Sequence, residues 1–220
     1  MFDKFYFWIH RKLSKPDEQG EYSAGIWQNA VRDRVMALLS ASSGKVLEVG
    51  CGEGLLLLKL AKLKSSLDVF GIDIWFDILN RAQIKIKQNN VLDIKLGQAD
   101  AISLPFQDNS FENVICINVL FNLPNELMIK QSLKEISRIV KKNGTIILDI
   151  RNRRNPLLYF KYKFAKYYDH TVKDLPLRTY SYTQISKYLG ENNFKIIDKT
   201  EIGFPHNDFA PIFVIQAQRM

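Results

Sequence analysis

Val46-Leu47-Glu48-Val49-Gly50-Cys51-Gly52-Glu53-Gly54, running on into Leu55-Leu56-Leu57-Leu58-Lys59-Leu60-Ala61, is the stretch on which the reading of this chain turns. The β-branched and aliphatic run before the glycines reads as a buried strand, and the leucine-rich run after them as a helix. Three glycines at alternate positions join the two. There the backbone can take positive φ, and a ligand can approach the main chain with no Cβ in the way. A helix starting at the end of the turn aims its free N–H groups and the positive end of its dipole at the crevice above it. Such a strand–turn–helix unit is a nucleotide cradle in an open α/β sheet.

The spacing narrows the ligand. A dinucleotide fingerprint needs a third glycine three residues after the second, and residue 55 is leucine. No Gly-Lys-Ser/Thr of a phosphate-binding loop follows. Glu48 places a negative charge just before the turn, which suits a cationic amino group better than a diphosphate. These features point away from NAD and ATP.

Three later segments extend the pattern. Residues 69–73 (Val-Phe-Gly-Ile-Asp) read as a second strand ending in Asp73, about 20 residues past the turn, where a carboxylate can accept both ribose hydroxyls. Taken alone, Asp73 also reads as a helix N-cap or a turn acid. Residues 96–106 put Asp100 after a third short strand, and residues 111–120 read as a central strand running into a loop.

Together these segments resemble the class I S-adenosylmethionine-dependent methyltransferases, in particular the small-molecule (type 11) group that includes quinone-biosynthesis C-methyltransferases. The resemblance covers roughly residues 44–151. It implies a Rossmann-like, doubly wound α/β fold with a seven-stranded sheet, mostly parallel with an antiparallel closing strand. It implies S-adenosylmethionine as cofactor, with Gly50, Cys51, Gly52 and Gly54 under the methionine part and Glu48 at its edge. Asp73 would then hold the ribose, Ile74 would lie against the adenine, Asp100 would accept the adenine amino group, the Ala101 N–H would face the ring, and Asn118 would border the cofactor from the strand-four loop. The family's Leu-Pro-Phe-x-Asp-x-Ser-Phe-Asp stands here as residues 104–112, with Glu112 for the last Asp, and Asn122 occupies the loop that usually carries a histidine.

At 220 residues the chain suits a single domain with a sizeable core. Its 46% hydrophobic and 25% charged residues are those of an ordinary globular protein. No apolar run approaches the ~20 residues of a membrane span. The N-terminus alternates charges with aromatics, unlike a secretory signal, so a cytoplasmic location is expected. Cys51 lies in the glycine turn and Cys116 in an apolar strand, a pattern of neither a disulfide nor a metal site.

The coarse reading alternates helix 55–64, strand 68–73, helix 77–89, strand 93–98, strand 111–117, helix 125–140 and strand 144–150. Lys141-Lys142-Asn143-Gly144 is expected to close the long helix. A helix from Thr183, its N-cap, to Asn193 follows, then strands 194–201 and 211–218 joined by a turn. The single domain thus divides into N-terminal cap helices (1–43), a cofactor core (44–151), a substrate-side insertion (152–182) and a closing helix and strand pair (183–220).

The cap and the insertion are rich in aromatics interleaved with lysines, and the substrate reading has to come from them. His170, next to Asp169, is the candidate general base; a surface loop histidine is the alternative. His206 and His10 are weaker candidates. Tyr22 and Trp27 could fold over cofactor or substrate, or simply pack the first helix. Arg178 could bind an anionic substrate group, and Asp149 and Arg151 end strand five on one side, so at least one should face the site.

Three functions compete. The first is methyl transfer to O, N or C of a small or lipid-like molecule in a pocket walled by the aromatic segments. The second is RNA methylation, prompted by the +8 net charge and pI near 9.4. Basic residues spread through the chain weigh against nucleic acid, as does the lack of an Asn/Asp-Pro-Pro-aromatic sequence after strand four. The third is cofactor binding without catalysis. The basic, aromatic flanks also suit peripheral contact with the inner membrane surface.

Overall fold

The computed structural model describes residues 26–63, 66–91, 93–168 and 176–220. Helix α1 (Ile26–Leu38) precedes strand β1 (Gly44–Val49), and the glycine turn leads into α2 (Leu55–Leu63). Strand β2 (Leu67–Asp73), helix α3 (Phe76–Gln88), strand β3 (Lys95–Gln98) and strand β4 (Phe111–Cys116) follow. A short 3-10 turn (Leu120–Asn122) leads to α4 (Glu126–Ile139) and β5 (Val140–Arg151). Helix α5 (Pro156–Tyr168), helix α6 (Tyr182–Glu191) and strands β6 (Phe194–Ile202) and β7 (Ile212–Arg219) complete the chain.

The seven strands form one sheet in the order β3-β2-β1-β4-β5-β7-β6. Strands β1 to β5 pair in parallel, and β7 lies antiparallel between β5 and β6. This is the expected doubly wound sheet with its antiparallel closing strand. Strands covered on both faces read as nearly continuous apolar runs rather than alternating, and 46–49 and 113–116 are buried without interruption, with Glu48 and Asn113 the polar exceptions. On one face Leu47, Val49, Ile146 and Leu148 meet Ile129, Leu133 and Ile136 of α4 and Ile185 of α6. On the other, Val46, Ile115 and Ile147 meet Val31 and Val35 of α1 and Leu56, Leu57 and Leu60 of α2. The strand order reverses between β1 and β4, and the crevice beyond their carboxyl ends is where ligands of open α/β sheets bind.

Three elements depart from the sequence reading. Residues 141–144 do not close the long helix. Helix α4 ends at Ile139 because the Asn109 and Ser110 amides take the Arg138 and Ile139 carbonyls, at 3.0 and 2.7 Å. Val140 already pairs with Phe111, and residues 141–144 form an irregular stretch of β5 with Asn143 at φ 64°. The N-cap of α6 is Ser181, not Thr183: its side chain accepts from the Gln184 amide at 3.1 Å. Helix α5 stands in the insertion where no element was expected. Its start is well marked, with Pro156 at the first position and Asn155 Oδ1 accepting from the Leu158 amide at 3.0 Å.

Candidate active site

The glycine turn is fastened to the strand beside it. Gly50 and Cys51 amides both donate to the Ile72 carbonyl, at 2.8 and 2.9 Å, and the Gly52 amide donates to Asp73 Oδ2 at 2.8 Å. Gly50, Gly52 and Gly54 have φ of 74°, 53° and 75°, where a side chain would be strained. A Cβ on Gly50 would also fall on Val119 Cγ2, so the turn lies hard against the loop after β4. Asp73 Oδ1 accepts from the Trp75 amide at 3.1 Å. Each carboxylate oxygen retains a second acceptor direction, so Asp73 can hold the turn and a diol together.

Glu48 is buried beneath the turn, and its Oε2 accepts no hydrogen bond among the described residues. Burial raises its pKa well above the usual carboxylate range; the Arg32 guanidinium works against this and the Asp73 charge adds to it. Arg32 is itself buried on α1 and donates from Nη2 to Asn29 Oδ1 at 2.8 Å. Glu53, also buried, is taken up by Lys85 and Arg81 of α3. Of the two acids in the motif, Glu48 therefore keeps acceptor capacity for a ligand. The Cys51 thiol is pushed far up by burial, with Glu48 and Asp73 reinforcing it, which disfavours the thiolate.

Asp100 shapes a tight turn. Its Oδ1 accepts from the Ile102 amide at 3.1 Å and its carbonyl from the Ser103 amide at 3.0 Å, with Ala101 buried between. Next to Asp73, the large apolar side chains of Ile74, Trp75 and Phe76 are all about half exposed, forming an apolar shelf. The sequence reading singled out Ile74 alone. The signal for Trp75 is an apolar triplet directly after a candidate acid.

Across the crevice a second network joins β4 and β5. Asn118 has φ of 61°, which asparagine tolerates, and its amide donates to Asp149 Oδ1 at 2.7 Å. Arg151 donates from Nη1 to Asp149 Oδ2 and from Nη2 to Asn118 Oδ1, both at 2.6 Å. Asn122 donates from Nδ2 to the Asn118 carbonyl at 2.9 Å. The Arg151 guanidinium lies 4.4 Å from the Phe121 ring centroid, and Tyr162 of α5 stacks on that ring at 6.5 Å. Burial opposes the Arg151 charge, but Asp149 and Tyr162 more than restore it, so it stays cationic. Both Asp149 and Arg151 thus converge on the strand-four loop, where at least one was expected. The Arg151 bond to Asn118 and the roles of Arg32 and Tyr162 were not legible beforehand.

The remaining candidates are dispersed. Trp27 lies under the Lys161 ammonium at 4.8 Å, joining α1 to α5. The Arg178 amide donates to the Phe121 carbonyl at 2.8 Å, and its residue borders a hollow of about 300 Å³ shared with Arg153, Tyr180 and Gln184. His206 is exposed in the turn before β7. Tyr22, His170 and His10 lie outside the described residues.

A family model described as a methyltransferase domain matches residues 47–148. The chain is 33% identical over 196 residues to the demethylmenaquinone methyltransferase of Lactobacillus johnsonii, covering 80% of this chain and 79% of that protein. It is 30% identical over 129 residues to a phosphatidylethanolamine N-methyltransferase of Cereibacter sphaeroides, covering 58% of this chain and 61% of that one. Among solved structures, the magnesium protoporphyrin IX methyltransferase of Synechocystis PCC 6803 with bound SAH has the same fold. It has a TM-score of 0.73 at 21% identity, over 99% of this chain and 94% of that one.

The protein belongs to the class I S-adenosylmethionine-dependent methyltransferases, in their small-molecule, type 11 group. It is accordingly an enzyme, with S-adenosylmethionine as its cofactor. The residues present fit that ligand: three positive-φ glycines bare the main chain, and Glu48 Oε2, which accepts no hydrogen bond among the described residues, suits an ammonium group.

Proposed function

We propose that the enzyme methylates a small, lipid-like acceptor that enters beside Asn118, Phe121 and Arg151 while the protein rests peripherally on a membrane. When bound, S-adenosylmethionine supplies an electrophilic methyl group on a sulfonium. The work left to the chain is to orient the two reactants and keep water out, and orientation alone is worth about 7–11 kcal/mol.

In this reading Glu48 complements the amino group of the cofactor and Asp73 accepts the ribose hydroxyls. Asp100 accepts the adenine amino group, Ala101 presents its amide to the ring, and Ile74 and Trp75 shield its face. Gly50, Cys51, Gly52 and Gly54 form the floor, and Asn118 is set at its edge by Arg151. His170 and Tyr22 remain candidates for base and substrate contact from the segments flanking the core, and Arg178 for an anionic headgroup. Trp27 acts through the α1–α5 contact.

The observation that carries the lipid-like reading is the aromatic cluster beyond β4, where Tyr162 stacks on Phe121 and the buried Arg151 guanidinium lies against the same ring. Two relatives named for menaquinone and phosphatidylethanolamine methylation support the same substrate class. RNA remains the rival acceptor on charge alone.

The test is transfer of labelled methyl from S-adenosylmethionine to a demethylated isoprenoid naphthoquinol, to phosphatidylethanolamine and to bulk RNA. Label in one of the lipid acceptors is expected. Label in RNA and in neither lipid would overturn the reading.

A further inference from the structure

Helix α5 carries apolar residues on two opposite sides. Its inner face is occupied: Leu158 is buried, Tyr162 stacks on Phe121, and Lys161 lies over Trp27. On its outer face Leu157, Phe160, Phe164 and Tyr167 are 60%, 58%, 49% and 71% exposed. Their spacing of three, four and three residues places them in one stripe along the helix. Isolated exposed apolar residues need no explanation, but four large ones in a line do.

The charge around the stripe has one sign. Residues 153–168 include five Lys or Arg and no Asp or Glu. Arg153 and Arg154 are exposed at the helix start, and Lys163 is exposed beside the stripe with its ammonium 6.0 Å from the Phe164 ring centroid. Asp208 lies 4.0 Å from Arg154, but both side chains are more than half exposed, so the pairing is weak. A surface offering acyl chains and negative headgroups in one plane matches both features at once.

We propose that α5 is the membrane-docking element, lying in the interface of an anionic bilayer with its 157/160/164/167 stripe in the acyl boundary. The proposal rests on the peripheral reading above and names the surface responsible. Its consequence is geometric. The opposite face of the same helix holds Tyr162 against Phe121, so a bilayer on the outer face of α5 lies about one helix diameter, ~10 Å, from that aromatic cluster.

The experiment is co-sedimentation of the full chain with phosphatidylglycerol/phosphatidylcholine vesicles and with phosphatidylcholine alone. It compares the wild type with Phe160→Ser/Phe164→Ser and with Lys163→Glu, using S-adenosylmethionine affinity as the check on folding. Wild-type binding to the anionic vesicles is expected to fall by about tenfold or more in the double variant, with cofactor affinity unchanged. Lys163→Glu should lower binding and flatten its salt dependence. Hydrogen exchange on the unaltered chain should slow over 156–168 when anionic vesicles are added, which decides the matter should the double variant fail to fold. Vesicle binding that survives the double substitution, with no slowing over 156–168, overturns the role of α5 and leaves the peripheral reading standing. A wild type that ignores both vesicles overturns the two together. Self-association that the double variant abolishes, without vesicle binding, assigns the stripe to a second copy and also overturns the proposal.

Discussion

The Gly52 amide donates to Asp73 Oδ2 at 2.8 Å, so the acid that ends β2 also holds the tip of the glycine turn. With Oδ1 on the Trp75 amide, one carboxylate organises the floor of the site and the approach to α3. Backbone amides aimed at a carboxylate form strong, charge-assisted bonds.

Asp73→Ala should therefore weaken S-adenosylmethionine by about tenfold or more and lower the melting temperature as well, since two amides lose their acceptor. Asp73→Asn keeps one acceptor oxygen and should recover part of the stability but little of the affinity. Calorimetry and thermal melts on both variants separate the two contributions. Unchanged affinity in both would refute the assignment.

Glu48 gives a pH dependence. Its folded-state pKa is raised, so the native state holds a proton that the unfolded chain releases. The stability this contributes is complete below the unfolded value of about 4.3 and is lost as pH rises through the folded value. Glu48→Gln should flatten the melting temperature against pH over that interval. In the wild type, pairing Glu48 with an ammonium favours its ionised form, so cofactor binding should release protons below the folded pKa. Titration calorimetry in buffers of different ionisation enthalpy reads that release, and Glu48→Gln should abolish it.

The turn tolerates no bulk. Gly52→Val should abolish cofactor binding by filling the space above the main chain and straining a φ of 53°. Gly50→Ala should destabilise the fold through a clash with Val119 and a backbone cost of about 1–2 kcal/mol. Adding Val119→Ala should relieve the clash and leave the backbone cost. Equal melting temperatures for the single and double variants would show that sterics play no part.

Asp149 and Arg151 form an ion pair with both side chains almost wholly buried. Removing one partner strands the other charge, so Asp149→Ala should cost about 3–5 kcal/mol in denaturant unfolding. Replacing both with apolar residues of similar volume, Asp149→Leu with Arg151→Met, should restore most of the stability. Turnover should not return with it if Arg151 sets the loop through Asn118. A double variant as active as the wild type would reduce the pair to a packing element.

Much of the cofactor half of the molecule was legible because its signals are local. A glycine at alternate positions, an acid at a strand's end and an unbroken aliphatic run each act within a few residues. Helix α5 leaves a weak mark in the sequence because its apolar residues fall on two faces, which cancels the period of a surface helix, although Asn155-Pro156 signals its start. The basic run 141–144 suggested a helix end, yet the carbonyls of α4 are claimed by amides some thirty residues earlier in the chain.

What the chain's own order of residues determined is the class of fold and its strand–glycine turn–helix unit, since strand, turn and helix propensities with their terminal carboxylates are properties of short segments. Only the tertiary structure decided that Arg32 lies beside Glu48, that Arg151 bonds Asn118 across 33 residues, and that α5 turns a second apolar face outward. The reason is physical: each of these depends on which elements the sheet brings side by side, and side-chain pairing across elements leaves no period in the sequence.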